Sequence, residues 1–433
     1  MTAQKDISLM PPMHTDVLIV GGGPAGATAA LTCLNYGIGC LLVEAKAYPR
    51  HKLCGGLLTA KARYLLKTLV SDEVAQECLE ACVVSRETEF SLWNGVQGGD
   101  FEQVVKVTPQ EPITLVDRVR FDEWLARRFE QVGDQCRHGR LIEGDAVTSV
   151  DFEHHVATLA SGRRVEYRSI IAADGANSFV EKCAIQQSGG KWASRRAMMP
   201  DAFCLETEVP RALCPDLTGV RIYFGVVPCS YAWAFAKGDH VCLGLVGEPG
   251  DSRDLKATFH EFLVHVGIAS PERLNIRGAM LPLGNYMEKP VQKKWRLFFV
   301  GDAAGYVDPL TGEGIYSAMQ SGVWVIESHW ATIANNRVAH TMSPTPEQRK
   351  AVDELLAHIY LNRMKHLRRF VRKSRGYQRW LMHPRVKPLF LRLAPRHPRF
   401  VEYFYTTQIE HASLHSFPRI VWRYLTGKIY PPH

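Results

Sequence analysis

The sequence predicts an α/β protein. It combines a doubly wound, mostly parallel sheet, an inserted α+β unit built on an antiparallel sheet, and a helical C-terminal appendage. Three observations carry this. A buried-type apolar run at residues 16–20, "DVLIV", leads straight into the glycine turn "GGGPAG", as the first strand of a doubly wound fold does. The runs "AFCLETEV", "GVRIYFGVV" and "YAWAFAKGDHVCLGLVG" have the length, β-branched and aromatic content, and turn punctuation of antiparallel strands. Beyond residue 345, "TPEQRKAVDELLAHI" opens with a capping residue and continues as a helix, with Ser343 or Thr345 as the expected cap.

Bulk properties narrow the class. A chain of 433 residues predicts two or three domains. With 46% hydrophobic and 22% charged residues it reads as a folded globular protein. No apolar run reaches the ~18 residues of a membrane span, and no basic stretch followed by an apolar core marks a secretory signal. The eleven cysteines are scattered without C-x-x-C or Cys/His spacing. They read as reduced thiols of a cytoplasmic protein, with no metal site and no disulfide frame.

The glycine turn is the first chemical motif. Gly21, Gly23 and Gly26 fit G-x-G-x-x-G. Gly21 permits the tight turn, Gly23 leaves room for a pyrophosphate, and Gly26 lets the helix pack on the strand. The helix presents free N–H groups and its positive end to phosphates. The next strand, "CLLVE", ends in Glu44, at the distance where an acid accepts hydrogen bonds from ribose hydroxyls and disfavours a 2′-phosphate. Strand, turn, helix, strand and acid in order define a Rossmann-type dinucleotide site.

Four motifs in order, from about residue 16 to about 325, carry a resemblance to FAD-dependent oxidoreductases of the glutathione-reductase type. The branch is the one holding aromatic hydroxylases and geranylgeranyl reductases. They are the glycine turn with Glu44; "DRVRFDEWL", whose Arg118, Phe121 and Asp122 match R-x-x-F-D; "IIAADGANSFV", with the Asp174–Gly175 pair; and "FFVGDAAG", with Asp302. The resemblance implies that Arg118 sits beside the flavin and that Asp302 contacts ribitol and pyrophosphate. It extends the expected cofactor contacts to Pro24, Ala25, Ala45, Lys46, Val147 and Gly301. Read without it, Arg118 is an ordinary ion pair and Asp174 a turn or N-cap residue.

Within this branch the chain is most similar to the geranylgeranyl reductases. "KLCGGLL" matches K-x-C-G-G, placing Cys54 and Gly55 near the isoalloxazine. "PCSYAWAF" matches P-x-x-Y-x-W-x-F-P through Pro228, Tyr231, Trp233 and Phe235, but Ala236 replaces the last proline. That loss is expected to loosen the strand end. Tyr231, Trp233 and Phe235 alternate, so a strand puts them on one face, either as core packing or as the wall of an apolar cavity. Tyr231, Trp233 and Cys54 are the candidate catalytic residues. Cys54 reads as core, as cavity lining or as a proton or redox group, in that order, and nothing nearby in sequence fixes its ionisation. In "DPLTGEGIYSAMQSG", Asp308, Pro309 and Leu310 form a turn over the flavin. Gly312, Gly314 and Ile315 start a helix whose positive end stabilises the charge of reduced flavin.

The expected FAD domain is discontinuous, over 13–75, 112–185 and 276–340. The substrate domain occupies 76–111 and 186–275, with "SGGKWASRRAMMP" as a connecting loop. A basic helical region spans 345–433. Of the +8 net charge, residues 363–399 supply thirteen Lys/Arg and no Asp/Glu, so the rest of the chain is net −5. Two readings of that region stay open: a solvated helix face whose side-chain stems cover core, and a peripheral anchor at the inner membrane face. Nucleic acid is disfavoured, because no reader motif accompanies the charge.

The resemblance implies reduction of carbon–carbon double bonds in an isoprenoid or other apolar small-molecule or lipid substrate. The flavin is then charged by an external donor, NAD(P)H or a ferredoxin-like protein. FAD-dependent monooxygenases and halogenases share the flavin motifs, though the halogenase W-x-W-x-I-P is missing from the sequence. A non-enzymatic, membrane-associated flavoprotein is the alternative from another class.

Overall fold

The computed structural model describes residues 11–95, 101–190, 202–227, 230–247, 254–335 and 345–410, together with residues 423 and 426. The predicted connecting loop falls largely, and Pro228 and Ser343 wholly, outside them.

The chain opens with β1 (Met13–Val20), α1 (Pro24–Asn35) and β2 (Cys40–Glu44). Val17–Val20 are buried, and Pro24, which has no N–H to satisfy, stands at the first helical position. Helices α2 (Ala60–Val70) and α3 (Asp72–Cys82) follow, then β3 (Val83–Glu87), β4 (Phe90–Gly95), β5 (Phe101–Val107) and β6 (Ile113–Val116). Helix α4 (Arg118–Cys136), capped by the Asp117 side chain on Val119 N–H, returns the chain to β7 (Gly139–Glu143). β8 (Val147–Asp151), β9 (Val156–Leu159) and β10 (Arg164–Ala172) then lead to α5 (Phe179–Gln187).

Strands β11 (Ala202–Pro210), β12 (Val220–Phe224), β13 (Ala232–Lys237) and β14 (His240–Gly247) come next, followed by α6 (Leu255–His265) and β15 (Arg277–Leu281). The chain re-enters the first unit through β16 (Val291–Gln292), β17 (Leu297–Phe299), the single turn α7 (Gly301–Ala304) and α8 (Ile315–Asn335). It ends in α9 (Pro346–Leu381), α10 (Val386–Leu393) and α11 (Pro398–Phe404).

The first sheet runs β16-β17-β10-β1-β2-β7. Its central pairs β17–β10, β10–β1, β1–β2 and β2–β7 are parallel. The carboxyl ends of β1, β2, β10 and β17 therefore lie side by side, where a doubly wound sheet binds its ligand. The second sheet runs β15-β11-β14-β13-β12-β4-β5. All its pairs are antiparallel except β12 with β4. "YAWAFAKGDHVCLGLVG" forms the hairpin β13–β14, with Lys237 opposite His240. β15 pairs with β11 in this second sheet, although the sequence reading placed residue 276 onward with the first unit. Helix α3 (Asp72–Cys82) likewise spans the boundary drawn at 75.

Helix α9 is one continuous element of 36 residues, with a capping box between Thr345 and Gln348. Tyr360, Met364, Leu367 and Val371 form its buried seam. Several of its cations are paired inward. Arg363 meets Glu327, Arg368 and Arg372 meet Glu288, and Arg375 donates to Leu283 O. Four of the thirteen cations in 363–399 thereby tie α9 to the body of the protein. Tyr360 Oη donates to Phe299 O at 2.6 Å inside the core. Tyr360→Phe removes that hydrogen bond inside the core and is expected to cost about 1 kcal/mol, seen as a lower thermal midpoint with an unchanged far-ultraviolet dichroism spectrum.

Candidate active site

The turn after β1 is bare for steric reasons. Gly21 has φ +103°, and a Cβ there would lie 2.5 Å from Ala173 O. A Cβ at Gly26 would lie 1.8 Å from Gly21 O, so α1 seats on β1 only because that position has no side chain. At Gly23 the nearest atom to an added Cβ is Arg50 Nη2, 3.7 Å away. That edge of the turn faces open space.

Beside the turn runs a buried chain of charges. Glu44 Oε2 accepts the Gly22 N–H at 2.8 Å and pairs with Arg50 Nε at 3.2 Å. Arg50 Nη1 reaches Asp122 Oδ2 at 3.2 Å. Arg118 Nε and Nη2 donate to Asp122 Oδ1 and Oδ2 at 2.9 and 3.1 Å. Burial works against the Arg118 charge, yet Asp122 and the neighbouring Cys54 hold its guanidinium above the ordinary range. Burial likewise opposes the Arg50 charge, and Asp122 and Glu44 outweigh it. Arg118 is thus an internal ion pair, not a surface one. The Glu44 carboxylate is already engaged by the protein's own N–H and Arg50. Sequence reasoning missed Arg50, which comes from an irregular segment with no spacing signal.

These groups line a cleft of about 560 Å³ at the carboxyl ends of the first sheet, within the usual range of ligand sites, roughly 300–1,000 Å³. Of the residues singled out from sequence, Gly21, Gly23, Pro24, Ala25, Glu44, Ala45, Lys46, Cys54, Arg118, Val147, Asp174, Gly175, Asp302, Gly312, Gly314 and Ile315 line it. Gly26, Gly301 and Pro309 are not among its lining residues, and Gly55 faces a second cavity. Asp174 divides its oxygens. Oδ2 accepts Val180 N–H at 3.1 Å, capping α5, while Oδ1 is buried with no hydrogen-bond partner among the described residues. Burial raises its carboxyl above the ordinary range against the bonds from Ser178 and Val180.

The loop 308–315 closes one side of the cleft. Asp308 accepts from Leu310 N–H, the Thr311 hydroxyl and the Ser374 hydroxyl of α9. Glu313 Oε1 caps Tyr316 N–H at 2.6 Å, and Glu313 Oε2 pairs with buried Lys61 at 3.4 Å. The first turn of α8 therefore uses an internal cap, leaving Gly314 and Ile315 against the cleft.

The second cavity holds about 240 Å³ and is mostly apolar. Tyr231, Trp233 and Phe235 line it together, with ring centroids 6.3 Å apart in succession. Tyr231 Oη donates to Thr311 O at 2.6 Å, tying this wall to the loop. Ala236 does not loosen the strand, contrary to expectation. It lies within β13, and its N–H donates to Gly219 O at 3.0 Å, a bond proline cannot make. Phe390, Val401 and Phe404 from the C-terminal helices close the far end. The two cavities share Leu53, Cys54, Cys204, Leu281, Gly312, Gly314 and Ile315 as lining, so they meet at one wall. At that wall Cys54 is half-buried, with Gly56 N–H directed to its Sγ at 3.4 Å and Arg118 beside it.

Sequence reasoning also missed Glu206. It lines the second cavity from β11. Alternation in "CLETE" puts it on the face of Cys204, and an acid amid that apolar run was the available signal.

The bare edge at Gly23, the unpartnered Asp174 Oδ1 and the glycines facing the cleft fit a dinucleotide whose ring end reaches the shared wall. A parallel sheet with this site defines a flavoprotein oxidoreductase. The comparisons agree. Residues 14–221 match the family described as an FAD binding domain. Digeranylgeranylglycerophospholipid reductase 1 of Methanothermobacter thermautotrophicus is 30% identical over 327 residues, covering 72% of this chain and 75% of that protein. The chloroplastic geranylgeranyl diphosphate reductase of Oryza sativa is 29% identical over 340 residues, 74% of this chain and 67% of that protein. The fold is shared with a geranylgeranyl bacteriochlorophyll reductase-like protein of Thermoplasma acidophilum, at a TM-score of 0.67 and 18% identity over 97% of this chain and all of that one. It is shared also with PqsL of Pseudomonas aeruginosa, described as a probable FAD-dependent monooxygenase, at a TM-score of 0.59 and 17% identity over 87% and 99%. The chain is an FAD-dependent oxidoreductase, and it belongs to the geranylgeranyl reductase family.

A side chain at Gly314 has Asp302 Oδ1 and Val307 Cγ2 3.4 Å from its first atom. Gly314→Leu therefore projects into the cleft and is expected to weaken FAD binding at least about tenfold, roughly 1.4 kcal/mol. Flavin fluorescence titration reads this, and a retained circular dichroism spectrum shows that the sheet is intact.

Proposed function

We propose that this protein reduces carbon–carbon double bonds of a polyprenyl chain, the chain lying in the Tyr231–Trp233–Phe235 cavity. The observation that carries this is the shared wall, where an apolar cavity opens onto the flavin cleft at Cys54 and Gly312–Gly314. Names of relatives such as geranylgeranyl diphosphate reductase support the substrate class. In this reading Gly21, Gly23 and the α1 end hold the pyrophosphate, Asp302 the linker, and Arg118 and the loop 308–315 the ring end. When bound, reduced FAD supplies the hydride. The aromatic wall orients the chain and excludes water, and Cys54 lines the contact between them. The external donor is a reduced pyridine nucleotide or a ferredoxin-like protein.

Anaerobic mixing of the photoreduced holoprotein with geranylgeranyl compounds is expected to reoxidise the flavin and add two hydrogens to the product mass. Oxygen incorporation into another substrate, with every polyprenyl compound inert, would favour the monooxygenase reading instead.

The C-terminal helices support a peripheral membrane position for the same site. No helix among the described residues is long and apolar enough to cross a bilayer. Yet α10 and its surroundings expose Trp380 (41%), Leu389 (54%) and Leu393 (39%) among the cations Arg379, Arg385, Arg392, Arg396 and Arg399, while Phe390 of the same helix faces the cavity. Apolar side chains ringed by cations suit an anionic lipid surface. Two leucines at about 1.5 kcal/mol each set the size of the effect. Leu389→Asp combined with Leu393→Asp should cut flotation with anionic vesicles on the order of a hundredfold. Unchanged flotation contradicts this role for α10.

A further inference from the structure

Glu206 is 5% exposed on β11 and lines the apolar cavity near the wall it shares with the flavin cleft. Its two oxygens differ. Oε1 accepts the Cys54 N–H at 3.1 Å, whereas Oε2 is buried with no hydrogen-bond partner among the described residues. A carboxylate in that state carries an uncompensated charge at high cost, while a carboxylic acid needs only an acceptor for one O–H. The groups around it make the same choice. Burial dominates and pushes the carboxyl up to about 7, and Glu208 pushes the same way; Lys237 on β13, Cys242 on β14 and the Cys54 N–H only partly offset this. Arg277 on β15 stands opposite Glu206 in the sheet register and is exposed.

We infer that Glu206 is the proton donor of the reduction, delivering the proton on Oε2 to the alkene carbon next to the one that takes the hydride. The inference rests on the double-bond reduction proposed above. The balance closes. The π bond breaks, one carbon gains the hydride that the reduced cofactor supplies, and the neighbouring carbon gains a proton as the Glu206 O–H bond breaks. A carboxylate is left behind. Its reprotonation comes from solvent on the side of Lys237, whose Nζ donates to the half-exposed Glu208 at 2.7 Å. Cys54 serves through its backbone, holding Oε1 and leaving Oε2 as the oxygen on which the proton resides.

The FAD-loaded full chain and its Glu206→Gln variant test this in two ways. Infrared titration of the wild type should show a protonated-carboxyl band that disappears with a midpoint near 7 and is missing from Glu206→Gln. Folded Glu206 binds a proton that its unfolded form releases at lower pH. Wild-type thermal stability is therefore highest below about pH 4.5 as far as this group is concerned, and is lost relative to Glu206→Gln as pH rises through 7. Alkene-dependent reoxidation of the flavin should fall about tenfold per pH unit above 7 in the wild type. In Glu206→Gln it should drop about a hundredfold or more, with flavin binding unchanged. A Glu206→Gln rate within threefold of wild type, or a Glu206 band that titrates in the ordinary carboxylate range, overturns the assignment. If the wild type itself reduces no alkene, it is the proposed substrate reaction that fails, a result separable from loss confined to the variant.

Discussion

The buried chain Glu44–Arg50–Asp122–Arg118 is the constraint on which the site depends. It joins the end of β2, the irregular segment after it and the first turn of α4, and it ends beside Cys54. The charges alternate in sign and sum to zero, which is the condition under which burial is tolerable. Removing any one member leaves its neighbour as an unpaired buried charge, a loss on the order of 3–5 kcal/mol. The arrangement therefore fixes the cleft's floor before any ligand arrives. It also ties down the Gly22 amide and sets the Arg118 guanidinium at a fixed position in the cleft lining.

A second set of ties joins parts of the chain far apart in sequence. Asp308 holds its own loop through Leu310 and Thr311 and reaches Ser374 of α9. Tyr231 from the second sheet bonds to Thr311 O in the same loop. The C-terminal helices are thus part of the site: they pin the loop from one side and close the far end of the apolar cavity with Phe390, Val401 and Phe404. One loop reports to both cavities, so in the proposed reading the apolar chain and the flavin would share a wall from which water is kept out.

Much of the cleft was legible because phosphate binding next to a strand leaves few solutions. Bare turn positions, a helix end and an acid on the second strand recur at fixed spacing, so Gly21, Gly23, Gly26 and Glu44 announce themselves. The aromatic alternation of Tyr231, Trp233 and Phe235 was legible for a similar reason, since a strand has period two. Arg50 was not, because an irregular segment imposes no spacing. The role of the basic segment was also hidden: its inward pairs with Glu288 and Glu327 depend on tertiary packing that charge counting cannot see. Ala236 shows the converse error. A missing proline was read as a loss, whereas the structure uses the freed N–H in a hydrogen bond.

The central claim is that a polyprenyl chain occupies the aromatic cavity and touches the flavin cleft at Cys54 and Gly312–Gly314. A geranylgeranyl probe carrying a diazirine near a double bond, photolysed in the FAD-loaded protein and mapped by mass spectrometry, tests this directly. The account predicts labels on Trp233, Phe235 and neighbours of the shared wall, suppressed by unlabelled geranylgeranyl compound. Labels confined to surface residues, and insensitive to competitor, would contradict it.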